Sequence, residues 1–204
     1  MSVEHWERLY ATKSHREMSW YAERLSLSLE LIGQLGLPKT AAFIDVGGGA
    51  SSFADDMLEA GYREITVIDL SETALQVSQK RLMEKAERVR WIAGDVVSAD
   101  LGGEFDLWHD RAVFHFLTGE EQRLAYRAKV EAHVKPGGFL VLSEFAEDGP
   151  AKCSGLPVKR HGEKELAEFF GEGYARVFAG RSIHITPGRS IQKFINLALR
   201  RVKA

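Results

Sequence analysis

An α/β fold built on a parallel sheet is what this sequence predicts, and three observations predict it. Short apolar runs alternate with longer stretches of helical period between positions 41 and 145, the rhythm of strand–helix–strand units. The first of those runs opens into three consecutive glycines, Gly47-Gly48-Gly49, and then into a helical pattern. Near the end of the chain two β-like runs are separated only by Thr186-Pro187-Gly188-Arg189-Ser190. That link is too short for a crossover helix, so the last two strands pair antiparallel. Five parallel strands and a terminal hairpin follow.

The elements take this order. Residues 6–35 read as two helices broken between 12 and 19; in the second, Leu25, Leu29, Ile32 and Leu35 recur at helical spacing. Gly36-Leu37-Pro38 stops it. Residues 41–46 suit a buried strand and 51–60 a helix closed by Gly61. A second strand over 64–68 ends at Asp69, and Ser71 caps a helix with Leu75, Ser78, Leu82 and Ala86 on one face. The third and fourth strands cover 89–93 and 105–109, with Trp91 and Trp108 as core residues. Thr118 and Glu121 stand at capping-box spacing and open a helix to about 134. Lys135-Pro136-Gly137-Gly138 turns into a fifth strand, 139–145. A short helix over 163–170 precedes the hairpin strands, 174–185 and 191–199.

The length of 204 residues suits one domain, 1–204. With 45% apolar and 27% charged residues the chain has the composition of a globular protein. A net charge of −2 argues against nucleic acid held by bulk phosphate attraction. Cys153 is the single cysteine, so neither an intrachain disulfide nor a CxxC site exists. The first residues are charged and lack the apolar core of a signal peptide, and no apolar run is long enough for a membrane span. The expectation is a reduced, cytoplasmic protein with no membrane partner. The histidines show no HExxH spacing, so no metal site is expected. Arg200, Arg201 and Lys203 read as a solvated basic tail.

The glycine segment carries the chemistry. In Asp45-Val46-Gly47-Gly48-Gly49-Ala50-Ser51-Ser52 a strand meets glycines that allow positive φ and close approach of a ligand. Asp69 follows Gly49 by 20 residues, at the end of the next strand. A carboxylate there can accept both hydroxyls of an adenosine ribose. A dinucleotide fingerprint would place glycine at 52, where Ser52 stands. Asp45, just before the glycines, would repel a pyrophosphate but can bind an amino group.

These residues resemble the first motif of the S-adenosylmethionine-dependent methyltransferases with a Rossmann-like fold. Further matches come in that family's order over residues 40–200. Asp69-Leu70 is similar to the ribose-binding acid, Gly94-Asp95-Val96 to the acid that contacts the adenine, and Lys135-Pro136-Gly137-Gly138 to the turn before the fifth strand. Ser51 departs from the pattern, where many members carry a further glycine. The resemblance implies a three-layer sandwich with a seven-stranded sheet of order 3-2-1-4-5-7-6, strand 7 antiparallel. It implies residues 1–38 as a helical lid over a core of 40–204. It implies S-adenosylmethionine as cofactor, held by Asp45, Gly47, Gly48, Gly49, Asp69, Leu70, Asp95, Val96 and His109.

The fourth strand ends in His109-Asp110-Arg111 and lacks the Asn/Asp-Pro-Pro-Tyr/Phe motif of amino-methylating DNA and glutamine enzymes. Asp110-Arg111 is similar to the Asp-Arg/Lys step of two branches, the thiopurine S-methyltransferases with their thiol- and tellurite-methylating relatives, and a group of protein lysine methyltransferases. His5-Trp6-Glu7-Arg8-Leu9-Tyr10 is similar to their tryptophan-bearing lead helix. The implied activity is methyl transfer to a small molecule in preference to a protein lysine, with the acceptor atom open. Asp110, His109 and Arg111 are the catalytic candidates, with His115 as a further base. Trp6, Trp20 and Tyr21 would form an apolar lid, and Cys153 reads as a structural residue of the loop 146–162. The alternatives are a binding module that transfers nothing and a nicotinamide-dependent oxidoreductase.

Overall fold

A computed structural model describes residues 2–202. Its strands are β1 (Ala42–Val46), β2 (Glu64–Asp69), β3 (Val89–Ala93), β4 (Phe105–Arg111), β5 (Val134–Phe145), a two-residue pair β6 (Lys152–Cys153) and β7 (Leu156–Pro157), β8 (Tyr174–Ile185) and β9 (Ile191–Arg201). Its helices are α1 (Val3–Thr12), α2 (Ser26–Gln34), α3 (Phe53–Glu59), α4 (Glu72–Leu82), α5 (Glu120–His133) and α6 (Glu163–Phe170). The main sheet runs β3-β2-β1-β4-β5-β9-β8. β1 to β5 are parallel, and β9 is antiparallel to both β5 and β8. With the strands of that sheet numbered alone, this is 3-2-1-4-5-7-6 with strand 7 antiparallel.

Strand alternation builds the layers. Phe43, Val67, Leu107 and Val141 face one way, onto Phe53, Met57, Leu75 and Ile32 of α3, α4 and α2. Their neighbours Ile44, Ile68, Trp108 and Leu142 face the other, onto Tyr126 and Val130 of α5 and Leu166 and Phe170 of α6. Both faces of these strands are covered, which is why they read as continuous apolar runs.

Several details differ from the sequence reading, and β5 begins at Val134 rather than 139. β4 continues two residues further, because Asp110 and Arg111 stay in register with Leu142 and Ser143 of β5. α5 starts at Glu120: the Gly119 N–H donates to Gln122 Oε1 at 3.2 Å, while the Thr118 N–H bonds Phe116 O. The cap therefore sits one residue later than Thr118/Glu121. Ala86 lies beyond α4 in a 3-10 turn, after Met83 at φ +53°. The basic tail is solvated only in part: Arg200 is exposed and donates to Gly137 O, while Arg201 donates to the Glu131 and Val134 carbonyls, tying β9 to the end of α5 and the start of β5. Lys203 lies outside the described residues. Among those residues no helix is long and apolar enough to cross a membrane.

Candidate active site

The glycine turn is shaped by what a side chain would strike. Gly47 has φ +67°, and a Cβ there would lie 2.1 Å from Val113 Cγ2. At Gly48 a Cβ would come within 2.4 Å of Asp45 Oδ2 and 2.6 Å of Val67 Cγ1. At Gly49, φ +38°, it would come within 2.7 Å of Asp69 Oδ2. α4 holds the loop from outside. Ser78 Oγ donates to Gly49 O at 2.7 Å, and Arg81 donates to Ala50 O and Ser51 O while pairing with Asp55. Position 52 serves the fold as well: the Ser52 hydroxyl donates to Glu23 O at 2.8 Å.

The strand ends supply the acids. Asp69 accepts the Ser71 N–H on Oδ1 at 2.8 Å. Burial, with Asp45 and Glu7 nearby, pushes its carboxyl up to about 7. Asp95 accepts the Val97 N–H on Oδ1 at 2.9 Å. Asp45 is buried, and its Oδ1 lies 2.7 Å from His109 Nδ1. A carboxylate only accepts, so Nδ1 carries the proton, and Nε2 lies 2.9 Å from Ser28 Oγ. The ring stacks on Phe53, centroids 4.2 Å apart.

Above these strand ends lies a cleft of two lobes. The first, with about 670 Å³ of empty space partly open to solvent, runs from Asp69, Leu70, Asp95 and Val96 to Trp6 and Phe116. The second lies over Asp45, Gly48 and Ser51. Tyr10, Trp20, Gly47 and Arg111 border both. Trp6 packs edge-on to Trp20 and Phe116, at 5.7 and 5.2 Å. α1 is fastened over the cleft by Glu7, which accepts the Thr73 N–H at 3.3 Å and also binds the Thr73 hydroxyl.

The expected catalytic residues sit in different surroundings. His109 is fully buried with both ring nitrogens in hydrogen-bond contact, beside Asp45 at the wall of the second lobe. Asp110 is fully buried on the α5 side, accepting from Tyr126 Oη at 2.5 Å and Val113 N at 2.9 Å. His115 is also enclosed, and burial lowers it to about 3. Arg111 alone of the three catalytic candidates reaches both lobes. Cys153 lines the first lobe, its thiol pushed up to about 11 by burial.

Sequence reasoning missed Tyr10, Ser28, Tyr126 and Glu144. A signal existed for Glu144, the one acid of β5, two residues beyond the apolar run Phe139-Leu140-Val141-Leu142. Its Oε2 accepts the His115 N–H at 3.0 Å, and burial pushes its carboxyl up to about 8. In the unfolded chain that carboxyl ionises near 4.5. The native state therefore keeps a proton that the unfolded state loses. The stability linked to it is fully present below about pH 4.5 and is lost as pH rises through 8. Glu144→Gln, which retains an acceptor for His115 N–H, should raise the melting temperature at pH 9 and leave it nearly unchanged at pH 4.5. At about 2–4 °C per kcal/mol for a chain of this size the difference is readable by calorimetry, and equal effects at both pH values would refute it.

S-Adenosylmethionine fits the cleft. The glycine cradle leaves room that any Cβ would fill, Asp69 presents a carboxylate where a ribose would lie, and Leu70 and Val96 offer apolar faces for a base. Comparison with known proteins agrees. Residues 43–138 match the family model described as methyltransferase domain. The eEF1A lysine and N-terminal methyltransferase of Danio rerio is 26% identical over 157 residues, 75% of this chain. This chain spans only 22% of that relative's length. The structure of Burkholderia thailandensis 1,6-didemethyltoxoflavin-N1-methyltransferase, with 1,6-didemethyltoxoflavin and S-adenosylhomocysteine bound, is 26% identical. It aligns at a TM-score of 0.72 over 88% of this chain and 78% of its own. A structure from work on conversion of a disulfide bond into a thioacetal group during echinomycin biosynthesis shares the fold at a TM-score of 0.77 and 19% identity, covering 98% of this chain and 93% of that one. Sheet order, glycine cradle and kinship together support the reading of this chain as a class I S-adenosylmethionine-dependent methyltransferase.

Proposed function

We propose that the protein moves a methyl group from S-adenosylmethionine to a small-molecule acceptor seated in the aromatic half of the first lobe. One observation carries this reading: the cleft that begins at Asp69 and Asp95 ends under Trp6, Trp20 and Phe116, roofed by α1. An acceptor there must be small enough to lie beneath a helix fastened by Glu7 to Thr73. The relatives include both a lysine and N-terminal methyltransferase and a small-molecule N-methyltransferase, and this enclosure favours the second kind. Residues 1–38 are then the lid of a single domain whose core is 40–204.

When bound, the cofactor supplies a methyl group on a sulfonium, a good leaving group. The residues around it hold and align. Asp69 accepts the ribose hydroxyls, Leu70 and Val96 cover the adenine, and Asp95 accepts its amino group. Gly47, Gly48 and Gly49 let the backbone approach. Asp45, steadied by His109 and Ser28, accepts the amino group of the methionine part. Trp6, Trp20 and Phe116 exclude water and fix the approach of the nucleophile, the main contribution an enzyme makes to such a displacement. Tyr10 and Cys153 also border the first lobe, and burial raises both, so neither is an anionic base near neutral pH. The acceptor therefore arrives with a free lone pair.

Calorimetric titration tests the cofactor side. S-adenosylmethionine and S-adenosylhomocysteine should bind while NADH does not. NADH binding alone would restore the oxidoreductase reading. Binding without labelled methyl transfer to any of a panel of thiols and amines would instead favour a non-catalytic module.

A further inference from the structure

We propose that the methyl acceptor carries a carboxylate or a comparable planar anion and that Arg111 receives it, an inference that rests on the methyltransferase reading above and narrows its acceptor. Arg111 ends β4 between the two lobes and also borders a third, polar cavity beside Ser143, Ser182 and Asn196. A guanidinium has five N–H donors. Among the described residues one is accounted for, Nη1 to Trp20 O at 3.0 Å, and the Phe194 ring lies 5.3 Å from the group's central carbon. Among the described residues no carboxylate lies within ion-pairing distance of it, although Glu144 and Asp45 act on it from further off, whereas the half-buried Arg81 and Arg127 pair directly with Asp55 and Glu131. A largely enclosed cation without a counter-ion is costly unless a ligand completes it.

The surroundings are built to hold the fork rather than to neutralise it. Phe194 and Trp20 O fix its plane. Ala112 follows at φ +68°, a conformation uncommon for a residue with a Cβ, and its N–H bonds Ser143 O at 2.9 Å. That bend takes the chain off β4 directly beneath the lobe. Of the acids that act on Arg111 from further off, Glu144 is pushed up to about 8 by burial and Asp45 is engaged by His109. A planar anion can take two parallel bonds from such a fork, with its apolar body against Trp6, Trp20 and Phe116. The same cation repels a lysine ammonium, so the charge and the enclosure favour the same acceptor class.

The test uses the full chain saturated with S-adenosylhomocysteine and three probes of one shape: benzoate, benzamide and benzylamine. Titrations are followed by calorimetry and by fluorescence, to which Trp6 and Trp20 contribute. Benzoate should bind about tenfold or more tighter than benzamide, as a charge-assisted bidentate pair requires, and benzylamine should not bind. Arg111→Gln should bring benzoate down to the benzamide level and leave S-adenosylhomocysteine affinity within about twofold. Preference for benzylamine, or no binding of any probe, overturns the inference using the wild-type protein alone. So does an Arg111→Gln variant that weakens S-adenosylhomocysteine as much as benzoate, because Arg111 would then hold the cofactor's own carboxylate. Failure of the wild type to bind S-adenosylhomocysteine is a separate result and removes the methyltransferase reading itself.

Discussion

Gly47→Val should weaken S-adenosylhomocysteine binding by about 100-fold or more, equivalent to roughly 3 kcal/mol, in a protein that still folds. Gly47 has φ +67°, which a β-branched residue adopts only with strain. The first added carbon would already lie 2.1 Å from Val113 Cγ2, and the two further methyls would enter the passage that joins the lobes. Val113 follows the Ala112 bend and forms the opposite wall. The cost thus falls where, in the proposed placement of the cofactor, ribose and methionine part would meet. Gly103→Ala serves as control, because a Cβ there meets nothing within 4 Å. Titration calorimetry reads the affinity and circular dichroism the fold. Near wild-type affinity for Gly47→Val would mean that the ligand does not pass over this turn.

The parts of this site legible in the sequence are those fixed by local chemistry. Three glycines after a strand, an acid ending the next strand and a five-residue link between two β runs each have a short-range physical cause. The end of β4 is less legible, because its contacts are distant in sequence. His109 meets Ser28 and Asp45, 81 and 64 residues away. Whether a histidine is a base or a prop depends on those partners. Asp110 could have been placed from the strand period alone. It shares a face with Trp108, and both touch Tyr126 of α5, while His109 faces α2 and α3. The lobe's aromatic wall has a similar history. Trp6 and Trp20 were visible as lid residues, but their meeting with Phe116 depends on how α1 and the 3-10 turn at 114–116 pack.

S-Adenosylhomocysteine affinity should rise by nearly one log unit per pH unit below pH 7 and level off above about pH 8, with about one proton released on binding at pH 6. The cause is Asp69. Burial first, then the nearby Asp45 and Glu7, pushes its carboxyl up to about 7 in the ligand-free protein. Two ribose hydroxyls donate best to the ionised form, so binding selects the deprotonated acid. Hydrogen bonds to a charged group contribute about 1.5–3 kcal/mol each, so Asp69→Ala should cost about 100-fold or more at pH 8. Asp69→Asn should lose most of that affinity and all of the pH slope. Stability moves the other way. The folded value, about 7, lies above the unfolded 3.8, so the native state holds a proton that the unfolded state has released. The stability linked to that proton is fully present below about pH 4 and is lost as pH climbs through 7, by at most a few kcal/mol. Asp69→Asn should therefore melt higher than wild type at pH 8 without ligand, yet gain almost nothing when S-adenosylhomocysteine is added. A binding site that keeps a buried acid for its ligand has to carry that acid's charge when empty, which is the general form of a stability–function trade-off. Melting curves at pH 5 and 8, with and without ligand, separate the two effects. A flat wild-type affinity between pH 6 and 8 would show that Asp69 is not the ribose acceptor.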